Sequence, residues 1–231
     1  MSSLLLALET ATSHASVALL DGERLIAEVG ASGTRPHSAR VLPAIHAMLE
    51  LAGASLADVG GYAVSVGPGS FTGLRVGVAT VKGLAFGDAV PVAAVSTLEA
   101  LATSACASDL PVLACLDARR SEVYAAAWSA GREVLLPEGV YGAAALAERL
   151  PGPCLLVGAA GEERVLEGLA AQIPVAWAPA QPLRAWWVGL LGARQLAAGE
   201  GVSPSALAPR YVRRAEAEVR RTGQRFEPAG A

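Results

Sequence analysis

Short apolar runs separated by polar turns open the chain, and the same arrangement returns about half-way along. The stretch LLLALETATSHASVALLDGERLIAEVG has apolar runs at 4–8, 16–20 and 24–29, with the acid Glu9 closing the first and Asp21-Gly22 between the second and third. The stretch PVLACLDARRSEVYAAAWSAGREVLLPEG repeats that plan with runs at 112–116, 123–128 and 133–136, the acid Asp117 and a turn at Ala130-Gly131. Gly-containing dipeptides between short apolar runs are hairpin signals, so each stretch predicts a three-stranded meander. Asp117 stands 108 positions after Glu9, far longer than a solenoid period, and the pattern predicts two duplicated subdomains over 1–105 and 106–212.

After each meander the pattern turns helical. Val41, Leu42, Ile45, Met48, Leu49 and Ala52 fall on one face of a helix over 41–52, with Pro43 in its first turn. The pattern then predicts a strand at 62–66, a helix at 71–86, a strand at 91–95 and a helix at 98–105. In the second half it predicts a strand at 154–157 and helices at 162–171 and 183–198. Beyond Tyr211 the chain is charged and closes on Pro and Gly, which predicts a mobile tail over 213–231.

The helix expected at 71–86 changes the functional picture. Its only charges are Arg75 and Lys82, seven apart and nearly on one face, and the remainder is apolar or small. Such a helix needs cover all round, more than one sheet provides, so a partner protein is expected on its far side together with helix 41–52.

Composition agrees with a globular protein at 53% hydrophobic and 17% charged residues, and the net charge of −3 argues against a nucleic-acid-coating role. The opening residues have no basic n-region, and no run approaches a membrane span. Cys106, Cys115 and Cys154 are odd in number and without CxxC spacing, which suggests free thiols in a reducing compartment and a cytoplasmic location, with no membrane contact.

The segment SVGPGSFTGLRVG places glycines between a strand and a helix, an arrangement that can cradle an anion. The Walker spacing fails, because Thr72 lies five residues after Gly67, and the dinucleotide fingerprint fails because Gly73 arrives one residue late. A tight turn with Ser70 as helix cap is the simpler expectation. His37 and His46 are nine apart, on opposite helical faces, and His14 is remote from both, so no helix-borne metal pair forms. Glu9 and Asp117 could face one nucleotide cleft and hold magnesium, or each could accept backbone hydrogen bonds at a strand end. Neither a nucleophile motif nor a metal motif is present, so no catalytic residue is assigned. Arg119, Arg120, Arg213, Arg214, Arg220, Arg221 and Arg225 could contact phosphate, although the tail also carries Glu216, Glu218 and Glu227.

The order ETATSHASVAL, HSARVLPAIHAML, SVGPGSFTGLRVGVATVKGLAF, DARRSEVYAA and ALAPRYVR resembles the TsaB, or YeaZ-type, family over residues from about 4 to 213. That family belongs to the bacterial system that makes threonylcarbamoyladenosine in tRNA. The resemblance implies an α/β chain of the actin-like ATPase superfold, with two duplicated ribonuclease-H-like subdomains. It implies the catalytic TsaD as heterodimer partner, the ATPase TsaE at the shared interface, a homodimer in isolation and tRNA contact through the complex. ATP and magnesium would then belong to the complex, and no cofactor to this chain alone. In TsaD a segment of the form NHLEAH holds the metal. Here the corresponding residues are Ser96-Thr97-Leu98-Glu99-Ala100-Leu101, with Thr97 and Leu101 in the histidine positions, and no metal site remains. The resemblance makes helices 38–52 and 71–87 the docking pair. The expected interface residues are Val41, Leu42, Ile45, Met48, Leu49, Phe71, Leu74, Arg75, Val76, Val78, Ala79 and Lys82. The alternative is an ATP- and magnesium-dependent phosphotransferase of the same superfold, using Glu9 and Asp117, with Gly158 and Gly161 approaching adenosine.

Overall fold

In the computed structural model, which describes residues 4–33, 35–87, 90–105, 108–150, 152–178 and 180–212, the alternation of side chains along the first strands decides the layering. Strands β1 (Leu4–Glu9), β2 (Ala15–Asp21) and β3 (Arg24–Ala31) form the expected meander. Leu6, Leu8, Val17 and Leu19 point to one side and Leu5, Ala7, Ala18 and Leu20 to the other, as a period of two requires. Both sides are apolar, so both faces need cover.

Helix α1 (Val41–Ala52) and helix α2 (Phe71–Leu84) cover the outer face. Strand β4 (Val59–Gly67) joins β1 in parallel, and β5 (Val92–Ser96) joins β4, giving the order β3-β2-β1-β4-β5. Helix α3 (Thr97–Thr103) follows. The second half repeats the topology with β6 (Val112–Arg119), β7 (Glu122–Trp128), β8 (Val134–Tyr141), α4 (Ala143–Arg149), β9 (Cys154–Gly158), α5 (Glu163–Ala170), β10 (Val175–Trp177) and α6 (Ala185–Ala197). Its sheet order, β10-β9-β6-β7-β8, matches the first sheet strand for strand. Helix α4 and strand β10 were not expected. They are short, and Leu146 alone of α4 is buried, so neither leaves a full apolar period in the sequence.

The last helix of each half crosses to the other sheet. α3 packs on β6 and β7 as well as on β4 and β5, and α6 packs on β1, β2, β4 and β5. One core therefore runs between the sheets, through Ala7, Ala63, Leu98, Leu101, Ala114, Ala126 and Val188. α6 approaches closely because a Cβ at Gly189 would strike Leu20, and one at Gly192 would strike Ala63. Val202 then bridges to Val92, and Leu207 enters the core under α1 and α2. Residues 185–207, expected with the second half, thus pack on the first sheet, and the division at 105/106 does not describe them in space.

Cys115 and Cys154 are buried free thiols, while Cys106 and the tail 213–231 lie outside the described residues. No helix among the described residues is long and apolar enough to cross a membrane.

Candidate functional site on the outward faces of α1 and α2

The turn after β1 explains the glycines before and inside α2. A Cβ at Gly73 would run into the carbonyl oxygen of Thr10, and one at Gly69 would crowd the Ala11 backbone. Thr10 Oγ1 donates to the Gly73 carbonyl at 2.8 Å, and the Ser70 N–H donates to the Ala11 carbonyl at 2.7 Å. The glycine-rich segment cradles the chain's own backbone, in the place where a phosphate loop would hold an anion. Ser70 caps α2 as expected, its Oγ accepting the Gly73 N–H at 3.2 Å.

Glu9 is fully buried at the end of β1. Its Oε1 accepts the N–H groups of Ala11 at 2.7 Å and Thr12 at 3.0 Å. Burial pushes its carboxyl up to about 7, against the smaller opposing effects of Ser65 and the two amides. Oε2 of Glu9 and Oγ of Ser65 lie beside each other without a hydrogen-bond partner among the described residues. Asp117 Oδ1 accepts the Arg119 N–H at 2.6 Å, and its Oδ2 pairs with Arg119 Nη1 at 3.2 Å. Both carboxylates accept backbone amides at their own strand ends. Gly158 is occupied by Leu166 and Gly161 by Ser13, whose Oγ donates to the Ala160 carbonyl at 2.8 Å.

The histidines have separate partners. His14 Nδ1 meets Ser32 Oγ at 2.9 Å, and His37 lies between Thr12 and Arg40. His46 is exposed on α1. Thr97 and Leu101 are buried, Leu101 in the core between the sheets. Among the described residues no three His, Cys, Asp or Glu side chains form a metal-binding group. A cleft of about 500 Å³ opens between α3, β9 and the start of α6, lined by Leu101, Ala105, Leu155, Val157 and Trp187. Its charged lining residue, Arg184, is paired with Glu28.

Helices α1 and α2 divide sharply into two faces. Val41, Ile45, Met48, Leu49, Leu74 and Val78 are buried on the chain's own sheet. These six expected interface residues therefore offer a partner no surface, which corrects the expectation. Leu42, Arg75 and Ala79 are exposed, and Phe71, Val76 and Lys82 are half-buried. α1 rests on β2 and β3 while α2 rests on β4, side by side on one sheet face, so the first helix does not cover the second. The outward stripe of α2 runs through Thr72, Arg75, Ala79 and the half-buried Lys82, and Phe86, in the turn just past the end of the helix, is 87% exposed. That spacing of three and four is the seam by which helices pair. Leu42 at 57% and Leu51 at 78% exposure add apolar surface on α1.

Tyr211 and Phe86 belong to this surface and were missed. Phe86 stands four residues after Lys82, a spacing legible in the sequence, although α2 itself ends at Leu84. Tyr211 stacks on Phe71 with ring centroids 4.6 Å apart, a contact across 140 residues that spacing cannot reveal.

Two sheets of identical order with helices between and outside them define an α/β protein of the actin-like ATPase superfold. An activator of 2-hydroxyisocaproyl-CoA dehydratase from Clostridium difficile shares that fold alone, at a TM-score of 0.51 and 7% identity, covering 85% of this chain and 97% of that one. Residues 25–148 match the family model described as TsaD, tRNA N6-adenosine threonylcarbamoyltransferase. YeaZ from Pseudomonas aeruginosa superposes with a TM-score of 0.73 at 32% identity, covering 90% of this chain and 99% of that one. The tRNA threonylcarbamoyladenosine biosynthesis protein TsaB of Escherichia coli is 41% identical over 122 residues, 52% of each chain. The match thus spans about half the length of that relative. The chain belongs to the TsaB/YeaZ family, within the wider group that the TsaD model describes.

Proposed function

We propose that this chain serves tRNA modification as a non-catalytic subunit, docking a TsaD-type transferase through the outward faces of α1 and α2. The observation that carries this reading is the outward stripe Thr72, Arg75, Ala79 and Lys82, with the exposed Phe86 just past its end, on a helix whose other face is already buried. The exposed apolar side chains beside it, Leu42 and Leu51 on α1 and Phe86 just past the end of α2, are favourable to cover and costly to leave in water. The names of the relatives support the pathway, the biosynthesis of threonylcarbamoyladenosine in tRNA. The complex would include TsaE and reach tRNA jointly, in the cytoplasm, with the same helix faces pairing two copies of the chain when TsaD is absent.

The local roles of Glu9 and Asp117 support the non-catalytic part of this reading. The phosphotransferase alternative draws no support from the turn after β1, whose amides are already bonded to Glu9. Calorimetry with Mg-ATP on the isolated chain tests that alternative, and micromolar binding would revive it.

The docking reading is tested by Ala79→Glu. The side chain is exposed, so the fold should tolerate the change, whereas a carboxylate in the middle of a helix seam should abolish co-purification with TsaD. Undiminished co-purification would reject the α2 surface as the docking site.

A further inference from the structure

One turn into the outward stripe of α2 stands a cation, Arg75, whose orientation is fixed from two sides. The guanidinium of Arg75 lies over the Phe71 ring, its central carbon 3.9 Å from the ring centroid. Its Nε donates to the Tyr211 hydroxyl at 2.9 Å. Tyr211 is itself stacked on Phe71, at an interplanar angle of 29°. The segment carrying Tyr211 is anchored in turn. The Arg210 N–H donates to the Val66 carbonyl at 2.7 Å, and Arg210 Nη2 donates to Glu138 Oε1 at 2.6 Å. The other oxygen of Glu138 accepts Ser96 Oγ, also at 2.6 Å.

An exposed arginine ordinarily samples many rotamers and loses that freedom when it binds. Here the plane is set by Phe71 and the Nε edge by Tyr211. Among the described residues the two terminal nitrogens carry no hydrogen bond, and the residue is exposed. The geometry points to Arg75 as a preset fork that accepts an acidic side chain from the docking helix of the protein partner, with Lys82 as a second contact two turns along. This assignment rests on the docking role proposed above.

Charge complementarity selects a protein carboxylate. α2 contains Arg75 and Lys82 and no acid, and seven residues along a helix place the two cations roughly 10 Å apart on one face. Between them lie Val76 and Ala79, an apolar floor that suits a packed helix and gives a phosphate backbone nothing to bond. A planar guanidinium matches a carboxylate with two parallel hydrogen bonds, which the point charge of lysine does not reproduce. The matching partner surface is a helix with two acids about seven residues apart and small apolar residues between them.

The test measures the affinity of the full chain for TsaD by calorimetry at low and high salt, with thermal midpoints for every variant. Arg75→Glu should weaken binding about 50-fold, and Arg75→Lys about 5-fold, because lysine keeps the charge and loses the fork. Tyr211→Phe keeps the stack and removes the hydroxyl, so it should weaken binding about 3-fold with an unchanged thermal midpoint. The salt dependence of the native chain should be flatter in Arg75→Glu. If Arg75→Glu binds within twofold of the native chain while Ala79→Glu abolishes binding, the fork is wrong and the docking surface stands. If both variants bind like the native chain, the docking surface itself is wrong and the fork falls with it. If Arg75→Glu leaves TsaD affinity intact but lowers tRNA retention by the complex, the fork reads phosphate and the carboxylate assignment is overturned.

Discussion

Glu28, on β3, accepts the backbone N–H of Trp186 in the first turn of α6 at 3.0 Å. Its second oxygen takes Arg184 Nε at 2.6 Å, and Ser16 Oγ accepts the neighbouring Ala185 N–H at 2.8 Å. α6 begins from Arg184, which supplies no side-chain cap of its own. The helix is therefore capped from β2 and β3, more than 150 residues away in sequence, and a negative charge sits where the helix dipole favours it. Glu28→Ala should cost about 1–2 kcal/mol of unfolding free energy, and Glu28→Gln, which keeps an acceptor, about half of that. Urea unfolding measures both. Equal stability of the alanine variant and the native chain would mean that water caps this helix as well as Glu28 does.

Two glycines of α2 should respond in opposite directions to the same substitution. A Cβ at Gly83 meets nothing within 4 Å, whereas one at Gly73 meets the Thr10 carbonyl oxygen. Gly83→Ala should stabilise by about 0.5–1 kcal/mol through lower backbone entropy in the unfolded chain. Gly73→Ala should destabilise by about 2–3 kcal/mol, because helix and turn must separate to admit a methyl group. Thermal unfolding of the two variants gives the comparison. A common sign would contradict the close packing of α2 on the turn.

The meanders and helix faces were legible because each writes a regular period into the chain. α1 spans Val41–Ala52, matching the 3.6-residue pattern, and β1 to β3 follow the alternation around Gly22. The same regularity misled the choice of interface residues. In α1 the apolar positions that repeat most clearly, Val41, Ile45, Met48 and Leu49, do so because they face the chain's own sheet. Leu42, which the pattern put on that same face, is instead exposed beside Val41, and Leu51, outside the pattern, is exposed as well. Which sheet a helix will cover is also unwritten in its period. α6 reads as an amphipathic helix of the second half, and only the close approach of Gly189 and Gly192 to Leu20 and Ala63 reveals its place.

His37 should titrate below its ordinary value. Its Nε2–H donates to the Thr12 carbonyl at 3.0 Å and its Nδ1 accepts Arg40 Nη2 at 3.0 Å, so both ring nitrogens are satisfied in the neutral form. Burial lowers the pKa first, and the Arg40 charge lowers it further. A folded pKa below the unfolded 6.5 contributes stability that is present above pH 6.5. That stability is lost as pH falls through the folded value. An NMR titration of the ring protons should place the His37 midpoint below 6.5, and Arg40→Gln should return it part of the way. A midpoint at or above 6.5 would place the imidazolium, not the neutral ring, between Thr12 and Arg40.

Glu9 should have the opposite pH signature. Its folded pKa of about 7 lies above the unfolded value of 4.5, because burial disfavours the carboxylate more than its hydrogen bonds favour it. The folded state then binds its proton more tightly. The resulting stability is fully present below pH 4.5 and is lost as pH rises through 7. The window corresponds to about 3 kcal/mol. Glu9→Gln retains an oxygen for the Ala11 and Thr12 amides and presents an N–H group to the Ser65 hydroxyl, yet cannot ionise. Relative to the native chain, this variant should gain about 2–3 kcal/mol in urea unfolding between pH 5 and pH 8. The histidine contributions cancel in that comparison, since both proteins carry them. Parallel stability curves would mean that Glu9 ionises at its ordinary value, with water reaching its second oxygen through the turn that grips α2.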